Sequence, residues 1–157
     1  MEQIYQNMFR GKTLSGDWVY GDLLNVRALD GKQGCIIVTD NRIKEVVDDK
    51  VDTDFPGLSF ARNEFAVVSQ DTVCSWSGLY DRKGDGIFSK DIVFVERMLG
   101  KVKQEFVAEV FYDHGCYVLH IDPDDSTFDI MLYAMTESEN CKVTIIGNSL
   151  DNPDLLP

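Results

Sequence analysis

Between Gly78 and Val95 the chain reads Gly-Leu-Tyr, then Asp-Arg-Lys-Gly-Asp-Gly, then Ile-Phe and, after Ser89-Lys90, Asp-Ile-Val-Phe-Val. Two glycines within six polar residues supply the positive-φ positions that a tight reversal needs, and apolar runs stand on both sides. This pattern predicts a hairpin, and the rest of the chain repeats its logic. Trp18 to Val26 and Cys35 to Thr39 are aromatic and β-branched runs separated by the turn-prone Asp30-Gly31-Lys32-Gln33-Gly34, which predicts a second hairpin. Phe65–Ser69 and Val73–Ser77 read as short strands, and Val102 to Tyr112 alternates with Val102, Phe106, Ala108, Val110 and Tyr112 on one face. Asp113-His114-Gly115 turns the chain into Cys116–Ile121, and Cys141–Ile146 is a final strand ended by Gly147-Asn148.

Helical signals occur in one place. After Asp122-Pro123-Asp124-Asp125, Ser126 is placed to cap a helix of about ten residues beginning near Thr127, with Phe128, Met131, Leu132 and Met135 on its apolar side. Asn152-Pro153-Asp154-Leu155-Leu156 predicts a capped turn that returns two leucines to the core. Glu45 to Asp54 carries four aspartates and little apolar content, the signature of an exposed loop. The fold class expected is mainly antiparallel β with one short helix near the carboxy terminus.

The 157 residues fit one domain, residues 1–157, and 44% hydrophobic with 27% charged residues is a globular composition. No run approaches the ~20 apolar residues that cross a bilayer. Met1 to Gln6 has neither the basic start nor the apolar core of a signal peptide, so a cytosolic location is expected. Cys35, Cys74, Cys116 and Cys141 lie too far apart for a zinc or redox pair and are expected as reduced, buried thiols, a disulfide being the minor alternative.

Acidic residues outnumber basic ones 27 to 15. From Asp113 to Pro157 there are nine acidic residues and one basic, Lys142, while the preceding 112 residues hold 18 and 14. Affinity for nucleic acid comes from Lys and Arg displacing counterions from phosphates, and anionic lipid makes the same demand. The charge therefore argues against both. It serves solubility, or presents an acidic surface to a basic partner.

Several groupings resemble sites and fail on detail. Asp81, Asp85 and Gly86 fall at calcium-loop positions one, five and six, but Lys83 stands where an oxygen ligand belongs and Ile92 where the bidentate Glu belongs. Counting from Asp122, beside Asp124 and Asp125, puts Tyr133 at the twelfth position, so a solvated approach to the helix is the better reading. His114 and His120 match no zinc spacing. His114 near Cys116 suggests an activated thiol, yet neither an orienting third group nor a pocket is visible. There is no nucleophile elbow, phosphate loop or dinucleotide fingerprint. Trp18, Tyr20, Phe65, Trp76, Phe88, Phe94, Phe106, Phe111 and Tyr112 lie in strand-like runs and are expected in the core, without the interleaved cations of a base-stacking platform. No catalytic, metal or cofactor-binding residue is assigned.

Three segments together resemble the YopX family of small bacteriophage and prophage proteins. Phe9-Arg10-Gly11-Lys12 with Gly16-Asp17-Trp18-Val19-Tyr20-Gly21-Asp22-Leu23 resembles its opening, and Val143 to Asn148 with Asn152 to Leu156 resembles its close. Ser77 to Val93 resembles its most recognisable stretch, a Thr-Gly-Leu-x-Asp turn before an Ile-Tyr-Glu-Gly-Asp-Ile-Val run. Ser77 replaces the usual Thr and Ser89-Lys90 replaces Glu-Gly, departures that bear on local turn geometry. The resemblance implies bent, bifurcated antiparallel sheets forming a pseudo-barrel, a phage or prophage origin and a bacterial host cytoplasm. It transfers no active site.

Together these readings predict a non-enzymatic accessory protein that binds a protein partner or another copy of itself, with no nucleic acid and no membrane. Two other classes are the alternatives. One is an acidic nucleic-acid mimic, acting through Asp122, Asp124, Asp125 and Asp129, that blocks a host DNA-binding protein. The other is a carboxylate and metal-dependent hydrolase or nuclease.

Overall fold

The computed structural model describes residues 8–27, 33–39, 65–121 and 129–156. The expected loop over Glu45 to Asp54, Ser126 with its cap, Phe128, and the aspartates 122, 124 and 125 lie outside them. The architecture is mainly β, in antiparallel sheets, with one short helix. The chain divides into two compact units, Met1–Val73 and Cys74–Pro157.

In the amino-terminal unit β1 (Phe9–Lys12), β2 (Trp18–Arg27), β3 (Gln33–Val38) and β4 (Phe65–Val68) pair in sequence order, all antiparallel. The hairpin expected between residues 18 and 39 is β2–β3. β2 changes partner midway. Trp18 to Gly21 pair with β1, and Asp22 to Arg27 pair with β3. Gly21 sits at the fork because an added Cβ there would lie 1.9 Å from the Val38 carbonyl oxygen. One strand thus feeds two ladders, which is the bent, bifurcated character implied by the family resemblance. A bridge between Thr13 and Val68, with the Ser69 amide donating to the Lys12 carbonyl at 2.9 Å, curls β4 back towards the end of β1. Cys35, Ile37 and Val68 form the buried centre, with Val19, Leu23 and Val73 against it. Burying side chains of this kind stabilises by roughly 1.5–3 kcal/mol each.

In the carboxy-terminal unit β5 (Cys74–Tyr80) and β6 (Gly86–Phe88) form the hairpin predicted from the Asp81 turn. β7 (Asp91–Leu99), β8 (Val102–Asp113), β9 (Cys116–His120), β10 (Ile130–Met131) and β11 (Cys141–Asn148) make a five-stranded sheet in the order β10-β9-β8-β7-β11. The connections β7–β8 and β8–β9 are two-residue turns. Gly100 alone has positive φ in the first, whereas His114 and Gly115 both do in the second, the backbone signatures of II′ and I′ hairpins. One sheet face is the core: Val93, Val95, Ala108, Val110, Leu119 and Val143 are buried with Ile87 and Leu132. The alternation read in β8 is right in its middle and fails at its ends, where Val102 and Tyr112 are exposed.

The helix differs from expectation. α1 is Leu132–Thr136, five residues, and Met131 before it is extended and caps nothing through its side chain. Pairing of Ile130 and Met131 with Leu119 and Val118 takes these residues into the sheet. Leu132 is buried and Met135 packs against the core, while Met131 faces outward, so the 3.6-residue period held only from Leu132. β11 also runs two residues further than expected, through a bulge that returns Gly147 and Asn148 to register with Ile92 and Asp91. The carboxy-terminal turn is a 3₁₀ turn at Pro153–Leu155, and it leaves Leu155 exposed and Leu156 half-buried.

Candidate functional site

The stretch from Ser77 to Asp91 concentrates the polar side chains that sequence reading singled out, and their geometry is structural. β5 bulges between Trp76 and Tyr80, and Ser77 fills the gap: its hydroxyl donates to the Ile87 carbonyl at 2.7 Å and accepts from the Leu79 amide at 3.2 Å. Asp81 is buried. Its Oδ1 accepts from the amides of Lys83 (2.7 Å) and Asp85 (3.1 Å), and its Oδ2 accepts from the Ile145 amide on β11 at 3.1 Å. The Arg82 amide donates to the Val143 carbonyl at 2.9 Å. A sheet edge left bare is a template for unwanted pairing. Here the turn covers the outer edge of β11. Asp91 is likewise buried, and its Oδ2 accepts from the Phe88 amide at 2.8 Å across the β6–β7 turn. A calcium loop at Asp81 would need these carboxylate oxygens for the ion, and backbone amides hold them.

His114 and Cys116 do not form a dyad. His114 is 90% exposed at its side chain and its Nδ1 lies 2.5 Å from the Asp113 carboxylate, whereas the Cys116 thiol donates to the Asp113 carbonyl at 3.4 Å. His120 Nδ1 and Asp129 Oδ1 are 2.7 Å apart and largely shielded from water. Asp129, the described member of the acidic set proposed for nucleic-acid mimicry, is therefore occupied by an imidazole. Among the described residues no three His, Cys, Asp or Glu side chains converge as a metal cluster would. All four cysteines are free, Cys35 and Cys74 buried and the other two half-buried. In the amino-terminal unit a cleft of about 400 Å³ is lined by Asn25, Arg27, Gln33, Cys35 and Gln70, and the Cys35 thiol donates to Asn25 Oδ1 at 3.3 Å.

A family model described as YopX protein matches residues 8–157. The chain belongs to the YopX family. No curated protein matches it. Among solved structures it is similar to protein EF1440 from Enterococcus faecalis, at 22% identity over 96% of this chain and 97% of that one, with a TM-score of 0.52. It is also similar to yopX from Bacillus subtilis, at 15% identity over 96% and 98%, with a TM-score of 0.48. The first likeness shows the shared fold.

In this YopX chain, Ser77, Asp81 and Asp91, within the stretch that resembles the family's most recognisable motif, hold backbone amides in place. A different surface carries exposed chemistry. On the face of the five-stranded sheet opposite the core, Phe111, Val118 and Met131 stand in register across β8, β9 and β10. Phe111 and Met131 are 52% and 53% exposed and flank Val118, which is 8% exposed. On either side of this row lie Glu109 opposite His120, and Asp113 opposite Cys116. Sequence reading placed Phe111 in the core, as it did Tyr20, Phe65 and Tyr112, and all four are exposed. The apolar run Val110-Phe111-Tyr112 does not say which side faces out. Cross-strand register also sets Lys12 opposite Trp18, with its ammonium 5.3 Å and the Arg10 guanidinium 4.7 Å from the indole centroid, so cations do stand beside this aromatic.

At the other end of the same sheet Lys103 joins two glutamates, lying 3.0 Å from Glu96 and bonded also to Glu105. The hydrogen bond it donates holds the Glu96 carboxyl below its ordinary value of 4.5, and donating to Glu105 and Glu96 raises Lys103. A depressed carboxylate contributes its stabilisation above the ordinary value and loses it as pH falls through the folded one. Lys103→Ala is expected to return the Glu96 titration towards 4.5, measured by carboxyl-carbon NMR; an unmoved midpoint would show that Lys103 is not the cause.

Proposed function

We propose that this chain is a non-enzymatic protein-interaction module of phage or prophage origin that works in the cytoplasm of a bacterial host. The observation that carries the reading is the outward row Phe111–Val118–Met131, bordered by carboxylates. Exposed apolar side chains set close together across a sheet, rimmed by charge, are the anatomy of a protein contact surface. Family membership supplies no competing activity, and Ser77, Asp81 and Asp91 of the Ser77–Asp91 segment are engaged with backbone.

The test compares the tagged chain with a Phe111→Ser, Met131→Lys double variant, both verified as folded by circular dichroism. Each is incubated with extract from a bacterial host, and bound proteins are identified by mass spectrometry. At least one protein held by the parent chain is expected to fall ten-fold or more with the variant. Identical recoveries would refute a contact role for this row.

A further inference from the structure

The β7–β8 hairpin ends in a tip opposite in character to the Phe111 face. Arg97 to Lys103 contains three cations and no acidic residue in a chain of net charge −12. Leu99 and Val102, opposite each other at the turn, are 52% and 61% exposed. Lys103 is neutralised by Glu96 and Glu105. Arg97 makes no ion pair among the described residues: its Nε donates to the neutral Gln104 amide at 2.8 Å and its guanidinium lies over Phe106. Lys101 is exposed on the turn and makes no ion pair with a carboxylate among the described residues. Lys101 thus projects with two apolar side chains, and the half-buried Arg97 stands two residues behind Leu99.

The Phe111–Met131 row presents the complement. Its apolar side chains lie between Glu109, which accepts from the Ser149 hydroxyl at 2.5 Å, and Asp113, which lies beside His114, with Asp129 held at His120. Tip and row lie at opposite ends of β8, nine residues apart, which at ~3.4 Å per residue is roughly 30 Å. One molecule therefore cannot satisfy its own tip with its own row.

We propose that the row is filled by the β7–β8 tip of a second copy of this chain, Leu99 and Val102 packing against Phe111 and Met131 while Arg97 and Lys101 approach Glu109 and Asp113. This rests on the protein-contact reading above and narrows its partner to the chain itself. Two copies related by a two-fold axis satisfy both contacts and close as a dimer; without that axis each addition leaves a free tip and a free row, and the series lengthens. Opposite charges at the rim make the association salt-sensitive.

Sedimentation velocity on the full chain, from micromolar to near-millimolar and at low and high salt, tests this. The parent chain is expected to grow in mass with concentration, less so at high salt. A tip variant, Leu99→Ser with Lys101→Glu, and a face variant, Phe111→Ser with Asp113→Lys, should each associate at least ten-fold more weakly. Mixing them should restore a one-to-one complex, because the first retains its row and the second its tip. A parent chain that stays monomeric throughout, a tip variant that associates like the parent, or a mixture that forms no complex overturns the proposal. The tip side chains are exposed, so their replacement leaves the core intact. If the parent is monomeric while the Phe111→Ser, Met131→Lys variant still loses a captured host protein, self-association fails and the broader contact reading stands.

Discussion

Asp81→Ala is expected to destabilise the carboxy-terminal unit by about 3–5 kcal/mol. The carboxylate accepts from three backbone amides, Lys83, Asp85 and Ile145, in a position shielded from water. A hydrogen bond to a charged group contributes roughly 1.5–3 kcal/mol, and a buried amide left without its acceptor adds its own desolvation cost. Additivity is poor within one network, so the sum falls below three separate losses. Asp81→Asn separates the parts. With its carbonyl oxygen in the Oδ1 position it keeps the two local bonds but turns an NH₂ towards the Ile145 amide, donor against donor, for a loss of about 1.5–3 kcal/mol. Urea unfolding followed by Trp76 fluorescence in a Trp18→Phe background reads this unit alone, because each unit holds one of the two tryptophans. The alanine variant should also associate more readily, since the amide of Ile145 on the β11 edge is uncovered. A change under 1 kcal/mol for alanine would show that the turn does not hold the edge.

The same residue marks how far the sequence could be read. The hairpin around Asp81 was legible because glycine and aspartate at a reversal have local physical causes, and so were the turn at Asp113-His114-Gly115 and the β2–β3 pairing. What Asp81 reaches for was not. Its third partner, Ile145, is 64 positions away, and no local pattern encodes a contact at that separation. Helix length failed for a related reason. Phe128, Met131, Leu132 and Met135 have helical spacing, but two residues of extended pairing with Val118 and Leu119 claim Ile130 and Met131 for the sheet. The apolar row was hidden by composition: Phe111 between Val110 and Tyr112 looks buried on either face, and only the register with Val118 and Met131 shows that it looks outward. Ser77, noted as a departure from the family's threonine, keeps the hydroxyl that the β5 bulge requires.

Gly21→Ala is expected to cost the amino-terminal unit about 3 kcal/mol or more. A Cβ at this position would stand 1.9 Å from the Val38 carbonyl oxygen and 2.7 Å from its carbon, and both belong to the backbone of the neighbouring strand. Flexible side chains give way to such an intrusion, but a paired backbone moves only by breaking its ladder. The bonds at risk are those where β2 leaves β1 for β3, between Phe9 opposite Gly21 and Asp22 opposite Val38. Slippage there would pull Ile37 out of the cluster it shares with Cys35 and Val68. Gly34→Ala is the control, because its Cβ would meet only a Val26 methyl at 3.8 Å and its cost should stay within about 0.5 kcal/mol. Trp18 fluorescence in a Trp76→Phe background follows the unfolding, and amide exchange at Leu23 and Ile37 locates it. If Gly21→Ala matched Gly34→Ala, the two ladders of β2 could separate without strain. The fork would then be an incidental bend, and the close approach of Gly21 to Val38 would not be what this unit depends on.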